Sequence, residues 1–141
     1  MGLGYSLVAR PLLALMDSEK AHSRALIGLR LSSATMFGRM FLRLLYKPKN
    51  VESNLFSLNF PNPLGLAAGM DKKAEAMTGW ETLGFGFIEI GTVTPIPQSG
   101  NEKPRVFRLK DDNALVNRMG FNNDGVEYVV ERLKKKYTDI I

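Results

Sequence analysis

A short apolar segment that ends in small residues most constrains what this chain can fold into. Residues 64–72 read LGLAAGMDK, and their apolar start is typical of a strand that is buried on both faces of a parallel sheet. Ala67, Ala68 and Gly69 remove side-chain bulk at the strand's end, so a flat ligand can lie against the backbone there. Lys72 follows the carboxyl end of the strand, where open α/β sheets and barrels bind ligands. On this segment alone, the alternative is a tight strand-to-helix turn with a solvated lysine.

The chain after this segment alternates between strands and helices, which predicts an α/β fold with a parallel sheet. A helix is expected over about residues 73–83, with Gly84 as its left-handed C-cap, and a second strand over residues 87–93. The later predicted elements are short strands over 106–109 and 114–117, a helix after the N-cap Asp124 with a core stripe of Val126, Val129, Val130 and Leu133, and the beginning of a third strand over 139–141.

This alternation predicts the first part of a (β/α)8 (TIM) barrel, preceded by an N-terminal amphipathic helical module. A parallel sheet is stable only when several strands are covered on both faces. Two strands and the start of a third leave an open apolar edge, so we interpret the 141 residues as part of a longer chain. Breaker residues around Pro48 and Pro63 indicate two domains, a helical module over 1–46 and the beginning of the barrel over 47–141, with a short hairpin or extended segment around residues 55–60.

The helical module is basic and amphipathic. The first fifty residues hold eight basic and two acidic side chains, although the whole chain carries a net charge of +5. Arg39 and Arg43 lie off an apolar stripe of one predicted helix, which suits an anionic membrane surface. The alternative is a helix docked on the protein's own core. Nucleic acid is a less suitable partner for this module than a membrane surface, because few base-reading side chains accompany the arginines. The stripe consists of Met36, Phe37, Met40, Phe41, Leu44 and Leu45.

Cysteine and histidine usage excludes several kinds of site. The chain has no cysteine and a single histidine, His22, so disulfides, thiolate metal sites and histidine-rich metal sites are excluded, and no metal ligand set is predicted. No apolar run approaches the roughly 18 residues that a membrane-spanning helix needs. The sequence therefore indicates a peripheral rather than a spanning association with the membrane.

Three groups of chemically suitable residues are expected at the mouth of the barrel, because strand ends and βα loops converge there. The first is 67–72, the second is 89–95, which contains Gly91 and Thr92, and the third is 117–123. The third group combines amide and guanidinium donors, which suit the carbonyl or carboxylate oxygens of a small polar ligand. Each group alone has a purely structural alternative; together at one mouth they favour a ligand site.

These groups carry a resemblance to a known family. Four motifs occur in order: NPLGLAAGMDK at 62–72, GFGFIEIGTVTP at 84–95, KPRVFRL at 103–109 and NRMGFNN at 117–123. The sequence resembles the N-terminal portion of quinone-dependent (class 2) dihydroorotate dehydrogenases. The resemblance implies a membrane-associated, peripheral flavoprotein enzyme of pyrimidine (UMP) biosynthesis, on the cytoplasmic face of the inner membrane if the source is bacterial. It implies oxidation of dihydroorotate to orotate with FMN and a membrane quinone, and no nucleic-acid partner.

The resemblance also implies roles for individual residues. The catalytic general base, a serine in this family, lies beyond the end of this chain, so no catalytic residue is assigned and the chain alone is expected to be inactive. His22 and Arg108 are expected near a quinone tunnel. FMN contacts are implied for Ala68, Gly69, Met70, Asp71, Lys72 and Thr92, and orotate contacts for Lys72, Asn117, Arg118, Met119, Gly120 and Phe121.

Two alternatives stay open at this point. One is another flavin-dependent TIM-barrel oxidoreductase that acts on a different heterocycle, which orotate would not bind. The other is a non-catalytic membrane-surface protein, in which residues 1–50 bind anionic vesicles as well as the whole chain does.

Overall fold

The computed structural model describes residues 7, 10–46, 49, 51–135 and 140–141. The parts of the predictions above that fall on 1–6, 8–9, 47–48, 50 and 136–139 lie outside the described residues. Eleven helices and strands are described, in chain order: α1 Arg10–Ala14, α2 Ser18–Ser33, α3 Met36–Tyr46, β1 Ser53–Leu55, β2 Leu58–Phe60, β3 Gly65–Leu66, α4 Met77–Leu83, β4 Phe87–Ile88, β5 Val106–Leu109, β6 Ala114–Asn117 and α5 Gly125–Lys134.

The three described N-terminal elements, α1 to α3, are all helices. Asp17 is the N-cap of α2, and its Oδ1 accepts a hydrogen bond from the backbone N–H of Lys20 at 3.1 Å. The whole apolar stripe of α3 is exposed, with Phe37 80% exposed. Among the described helices, none has the length and apolar character that crossing a membrane requires.

Two antiparallel hairpins precede and follow the parallel strands along the chain. The first pairs β1 with β2, with Ser53 opposite Phe60, so the hairpin is the correct one of the two alternatives expected around residues 55–60. The second pairs β5 with β6, with Val106 opposite Asn117. The second hairpin places the start of the NRMGFNN motif next to the start of β5.

The parallel strands β3 and β4 are shorter than predicted, but their backbone pairing extends beyond the two residues assigned to each. Gly65 is opposite Phe87 in this pair. The N–H of Gly86 donates to the carbonyl of Leu64 at 2.8 Å, and the N–H of Gly69 donates to the carbonyl of Gly91 at 3.0 Å. The carboxyl ends of the two strands therefore meet at the two glycines.

The predicted third strand has a partner. Ile141 accepts a hydrogen bond through its carbonyl from the N–H of Ile88 at 2.9 Å, and Ile140 is buried. The chain's last residue thus lies along β4, although it is not assigned to a strand and Asp139 lies outside the described residues.

Helix α4 begins four residues later than the prediction over 73–83. The cause is Asp71, whose carboxylate accepts hydrogen bonds from the backbone N–H groups of Glu75 and Ala76 at 2.7 and 2.8 Å. Ala74 has a left-handed φ of 54°, which a right-handed helix does not contain. The C-cap prediction is confirmed, because Gly84 is left-handed with φ of 98°.

Helix α5 begins after Asp124 as predicted, but it differs from the prediction in two details. Asp124 occupies the N-cap position but makes no capping hydrogen bond, because its carboxylate pairs with the ammonium of Lys73. Asn123 instead accepts the N–H of Gly125 through Oδ1 at 2.9 Å. Val129 is buried, but Val126 and Val130 are 42% and 40% exposed, so only part of the predicted core stripe is covered.

The core joins α2 to α4 and to the parallel strands. Leu26 of α2 is buried against Leu66 of β3 and against Trp80 of α4. The ring of Phe85 meets the indole of Trp80 edge-on, with 5.7 Å between centroids, a favourable aromatic geometry. Helix α2 therefore lies over the carboxyl ends of β3 and β4 as part of the same packed body.

Candidate functional site

A cavity of about 810 Å³ lies between α2 and the carboxyl ends of the parallel strands. Its size falls within the roughly 300–1,000 Å³ of small-molecule and cofactor sites. All three motif groups reach it, and α2 closes one side with His22 and Leu26. Of the residues given site roles from the sequence, all line this cavity except Met70 and Arg108.

The floor of the cavity is made of small residues at the strand ends. Ala68, Gly69, Gly91 and Thr92 line it. Gly69 has a left-handed φ of 97°, and a Cβ built there meets no heavy atom within 4 Å. The backbone at this point is therefore bare and faces open space, as the small-residue segment predicts.

Lys72 is the central cation of the site. Its Nζ donates a hydrogen bond to Oδ1 of Asn122 at 2.8 Å, which links the first motif to the third across the cavity. Burial lowers the pKa of the Lys72 ammonium, and the nearby Arg105 guanidinium lowers it further, whereas Glu19 opposes them. The sequence placed Asn122 in the third motif without a role; the structure makes it the hydrogen-bond partner of Lys72.

Asp71 lines the cavity, but its carboxylate serves the fold. The side chain is fully buried. Besides the backbone of α4's first turn, it accepts a hydrogen bond from Nε1 of Trp80 at 3.1 Å. These donors occupy both carboxylate oxygens, so the backbone of Asp71 is the part available to a ligand.

Residues 117–121 form the opposite wall. Asn117 and Phe121 are exposed, and Oδ1 of Asn117 accepts the N–H of Met119 at 3.4 Å. Gly120 packs closely against Asn101, because a Cβ there would lie 2.7 Å from the Asn101 nitrogen. Arg118 donates from Nη2 to the carbonyl of Pro104 at 3.3 Å. The wall therefore offers amide and aromatic groups from a segment tied to the preceding loop.

An ion pair that sequence reasoning missed attaches α2 to this wall. Arg105 is buried and donates from Nε and Nη2 to Oε1 of Glu19, at 3.1 and 2.8 Å, and from Nη1 to the carbonyls of Ser99 and Asn101. The hydrogen bond from the Arg105 guanidinium lowers the pKa of the Glu19 carboxyl. Glu19 lies in the first turn of α2, and no local sequence signal relates it to the KPRVFRL motif.

The two residues predicted near a quinone tunnel occupy different places. His22 is half-buried on the cavity wall, one turn after Glu19. Burial lowers the pKa of its imidazole, while the negative charge of Asp71 acts in the opposite direction. Arg108 lies outside the cavity and donates to the carbonyls of Met16 and Leu13 at 2.6 and 3.1 Å. It thus holds the last turn of α1 against β5.

Known proteins resemble the chain over most of its length. A family model described as dihydroorotate dehydrogenase matches residues 50–140. A protein named dihydroorotate dehydrogenase (quinone) from Haemophilus influenzae strain 86-028NP is 47% identical over 127 residues, covering 89% of this chain and 38% of that protein. A protein of the same name from Rhodopseudomonas palustris strain HaA2 is 54% identical, covering 87% of this chain and 32% of that protein.

Solved structures give the same result. The crystal structure of DHODH in complex with ferulenol from Eimeria tenella superposes with a TM-score of 0.57 at 45% identity, covering 68% of this chain and 28% of that one. The chain thus spans about a third of the length of the curated relatives just named. These likenesses confirm the predicted α/β class.

Proposed function

The chain belongs to the dihydroorotate dehydrogenase family, and from this premise we propose that it is the N-terminal portion of a quinone-dependent (class 2) enzyme of that family. The proposed reaction is the oxidation of dihydroorotate to orotate with FMN and a quinone acceptor, in pyrimidine (UMP) biosynthesis. The names of the relatives support the reaction and the acceptor.

The observation that carries the proposal is the convergence of the three motif groups on one cavity together with α2. Lys72, Thr92, Asn117 and His22 come from four separate parts of the chain and line the same space. If the residues of the three motif groups only stabilised local turns, they would not need to line the same cavity. The convergence supports a common ligand for all of them.

The residues present fit FMN. The bare backbone at Gly69 and the small side chain of Ala68 leave room for a flat ring, and the ammonium of Lys72 lies beside them. When bound, FMN supplies a ring system that accepts hydride and passes electrons to a second substrate. We propose FMN contacts for Ala68, Gly69, Met70, Asp71, Lys72 and Thr92, with Asp71 contributing its backbone.

We propose that the opposite wall binds the substrate. Asn117 directs an amide toward orotate oxygens, the ammonium of Lys72 attracts its carboxylate, and Phe121 excludes water from the ring. Arg118, Met119 and Gly120 hold the pocket's shape through their contacts with the preceding loop. No residue of this chain is proposed as the general base, so we expect the 141 residues alone not to turn over dihydroorotate.

The helical module is proposed to connect this cavity to a membrane. Residues 1–46 would form the membrane-associating part and 47–141 the beginning of the (β/α)8 barrel. The exposed apolar stripe of α3 supports peripheral association with an anionic surface, on the cytoplasmic face of the inner membrane if the source is bacterial. His22 would lie on the path of the quinone, and Arg108 would position α1 beside it.

Flavin binding tests the cofactor site. Titration of FMN with the chain should quench flavin fluorescence, and Lys72→Ala should weaken the binding about tenfold or more, because a charge-assisted contact is lost. Lys110→Ala is the matched control, since Lys110 is exposed and lies outside the cavity. Orotate should bind the flavin-loaded chain. If FMN binds and orotate does not, the result favours a flavin oxidoreductase that acts on another heterocycle. If FMN does not bind, the proposed flavin site is refuted.

Vesicle flotation tests the membrane proposal separately. The chain should float with vesicles that contain anionic lipid, and Phe37→Ser with Phe41→Ser should abolish flotation. Phe56→Ser is the control, because Phe56 is equally exposed on the first hairpin but lies off the helical stripe. Equal loss in the control would contradict a specific role for α3.

A further inference from the structure

A second cavity, of about 430 Å³, lies between α2, α3, the start of α4 and the end of α5. It adjoins the first cavity and shares Glu75 with it. No role was assigned to this region from the sequence. Four basic side chains line the cavity. They are Arg30 of α2, Arg39 of α3, Arg132 of α5 and Lys135, which directly follows α5.

The positive charge in this second cavity is not balanced by the carboxylates of the described part of the chain. Glu75 supplies the single negative charge among the described lining residues. Within that same part of the chain, the observed ion pairs involve none of the four basic residues. Like charges that converge in a concave site repel one another, so this arrangement is favoured when an anion enters it.

Two of the guanidinium groups are held in place by the fold. Arg39 donates from Nη1 to the carbonyl of Ser33 at 3.0 Å. Arg132 has Nε 3.5 Å from the carbonyl of Ala74, and its guanidinium lies 5.7 Å from the ring centroid of Tyr128. A guanidinium has five N–H donors in a planar fork, so both groups keep donors for a ligand while their orientation is fixed in advance.

We propose that this cavity is a binding site for a phosphate group. Planar arginine forks match the oxygen geometry of phosphate, and charge-assisted hydrogen bonds of this kind are among the strong ones. The hydroxyl of Thr78, which also lines the cavity, adds a polar group of suitable chemistry. The phosphate belongs either to a soluble phosphorylated compound or to the headgroup of an anionic lipid.

The test compares two double variants of equal charge change. Arg30→Gln with Lys135→Gln removes two exposed cations from the cavity, whereas Arg24→Gln with Lys110→Gln removes two exposed cations elsewhere. Calorimetric titration with inorganic phosphate should show saturable binding to the unaltered chain and to the control. The cavity variant should bind at least about tenfold more weakly, the effect of losing one or more charge-assisted contacts.

Absence of saturable phosphate binding to the unaltered chain, or equal affinity of the two variants, would overturn the proposal. If phosphate binds as proposed, flotation with phosphatidylcholine vesicles containing phosphatidic acid distinguishes the sources. Weaker flotation of the cavity variant than of the control assigns the site to a lipid headgroup. Equal flotation of the two variants assigns it to a soluble phosphorylated compound.

Discussion

Arg105 and Glu19 lie 86 positions apart and form a partly buried ion pair, with the guanidinium Nη2 2.8 Å from the carboxylate Oε1. The pair fastens the start of α2 to the loop before β5. Both residues lie beside the cavity that Lys72 and His22 line, and the charges of both act on Lys72. The position of α2 over the strand ends therefore depends on this long-range contact as well as on apolar packing around Leu26.

Replacing Glu19 with glutamine should lower the free energy of unfolding by about 1–3 kcal/mol, because a buried guanidinium loses its charged partner. Chemical denaturation followed by circular dichroism measures the change. Glu102→Gln is the control, since Glu102 is exposed and should change stability by less than about 0.5 kcal/mol. Equal effects of the two substitutions would contradict a stabilising role for the pair.

His22 should titrate below its usual pKa of 6.5, because burial disfavours the imidazolium. When the folded-state pKa lies below the unfolded-state pKa, the unfolded chain binds more protons than the folded chain at every pH between those two values. The contribution of His22 to stability is therefore complete above about pH 6.5 and is lost as the pH falls through the folded pKa.

Two measurements check this expectation. The chain has a single histidine, so an NMR titration of its imidazole resonance reports His22 directly. Denaturation at decreasing pH should show the unaltered chain losing stability relative to His22→Gln below about pH 6.5. An imidazole that titrates at or above the usual value would contradict its burial on the cavity wall.

Asp71→Asn should destabilise the chain by about 2–3 kcal/mol, because a buried carboxylate that accepts from three donors is replaced by a neutral amide. Trp80 is the sole tryptophan and donates to Asp71, so its fluorescence follows unfolding at the site itself. Asp111→Asn, on an exposed turn, is the control. An Asp71→Asn variant as stable as the control would show that the turn before α4 does not depend on this carboxylate.

Gly28→Ala should raise the free energy of unfolding by about 0.5–1 kcal/mol, since glycine in a helix interior costs this much relative to alanine. The added methyl meets no atom within 4 Å. Gly79→Ala on α4 is the control with the opposite expected effect on stability, because its added methyl would collide with the side chain of Leu29. Thermal unfolding should show the first variant melting higher and the second lower than the unaltered chain.

The sequence by itself determined the features that depend on neighbouring residues. Asp17 caps α2 because its side chain reaches an N–H three residues away, and Gly84 ends α4 because glycine adopts the left-handed conformation without strain. The alternation of elements predicted the α/β class. The strand-end motifs predicted a shared ligand site, because parallel strands place their carboxyl ends on one side of a sheet.

Only the tertiary structure decided which distant groups meet. Asp71 was assigned to a cofactor from its motif, but the donors that fold back onto it delay the start of α4. Asp124 pairs with Lys73 rather than capping α5. The bond between Glu19 and Arg105, and the four cations around the second cavity, join residues that share no local pattern. Local propensity acts over one or two turns, whereas these contacts exist only after the apolar core has brought the helices together.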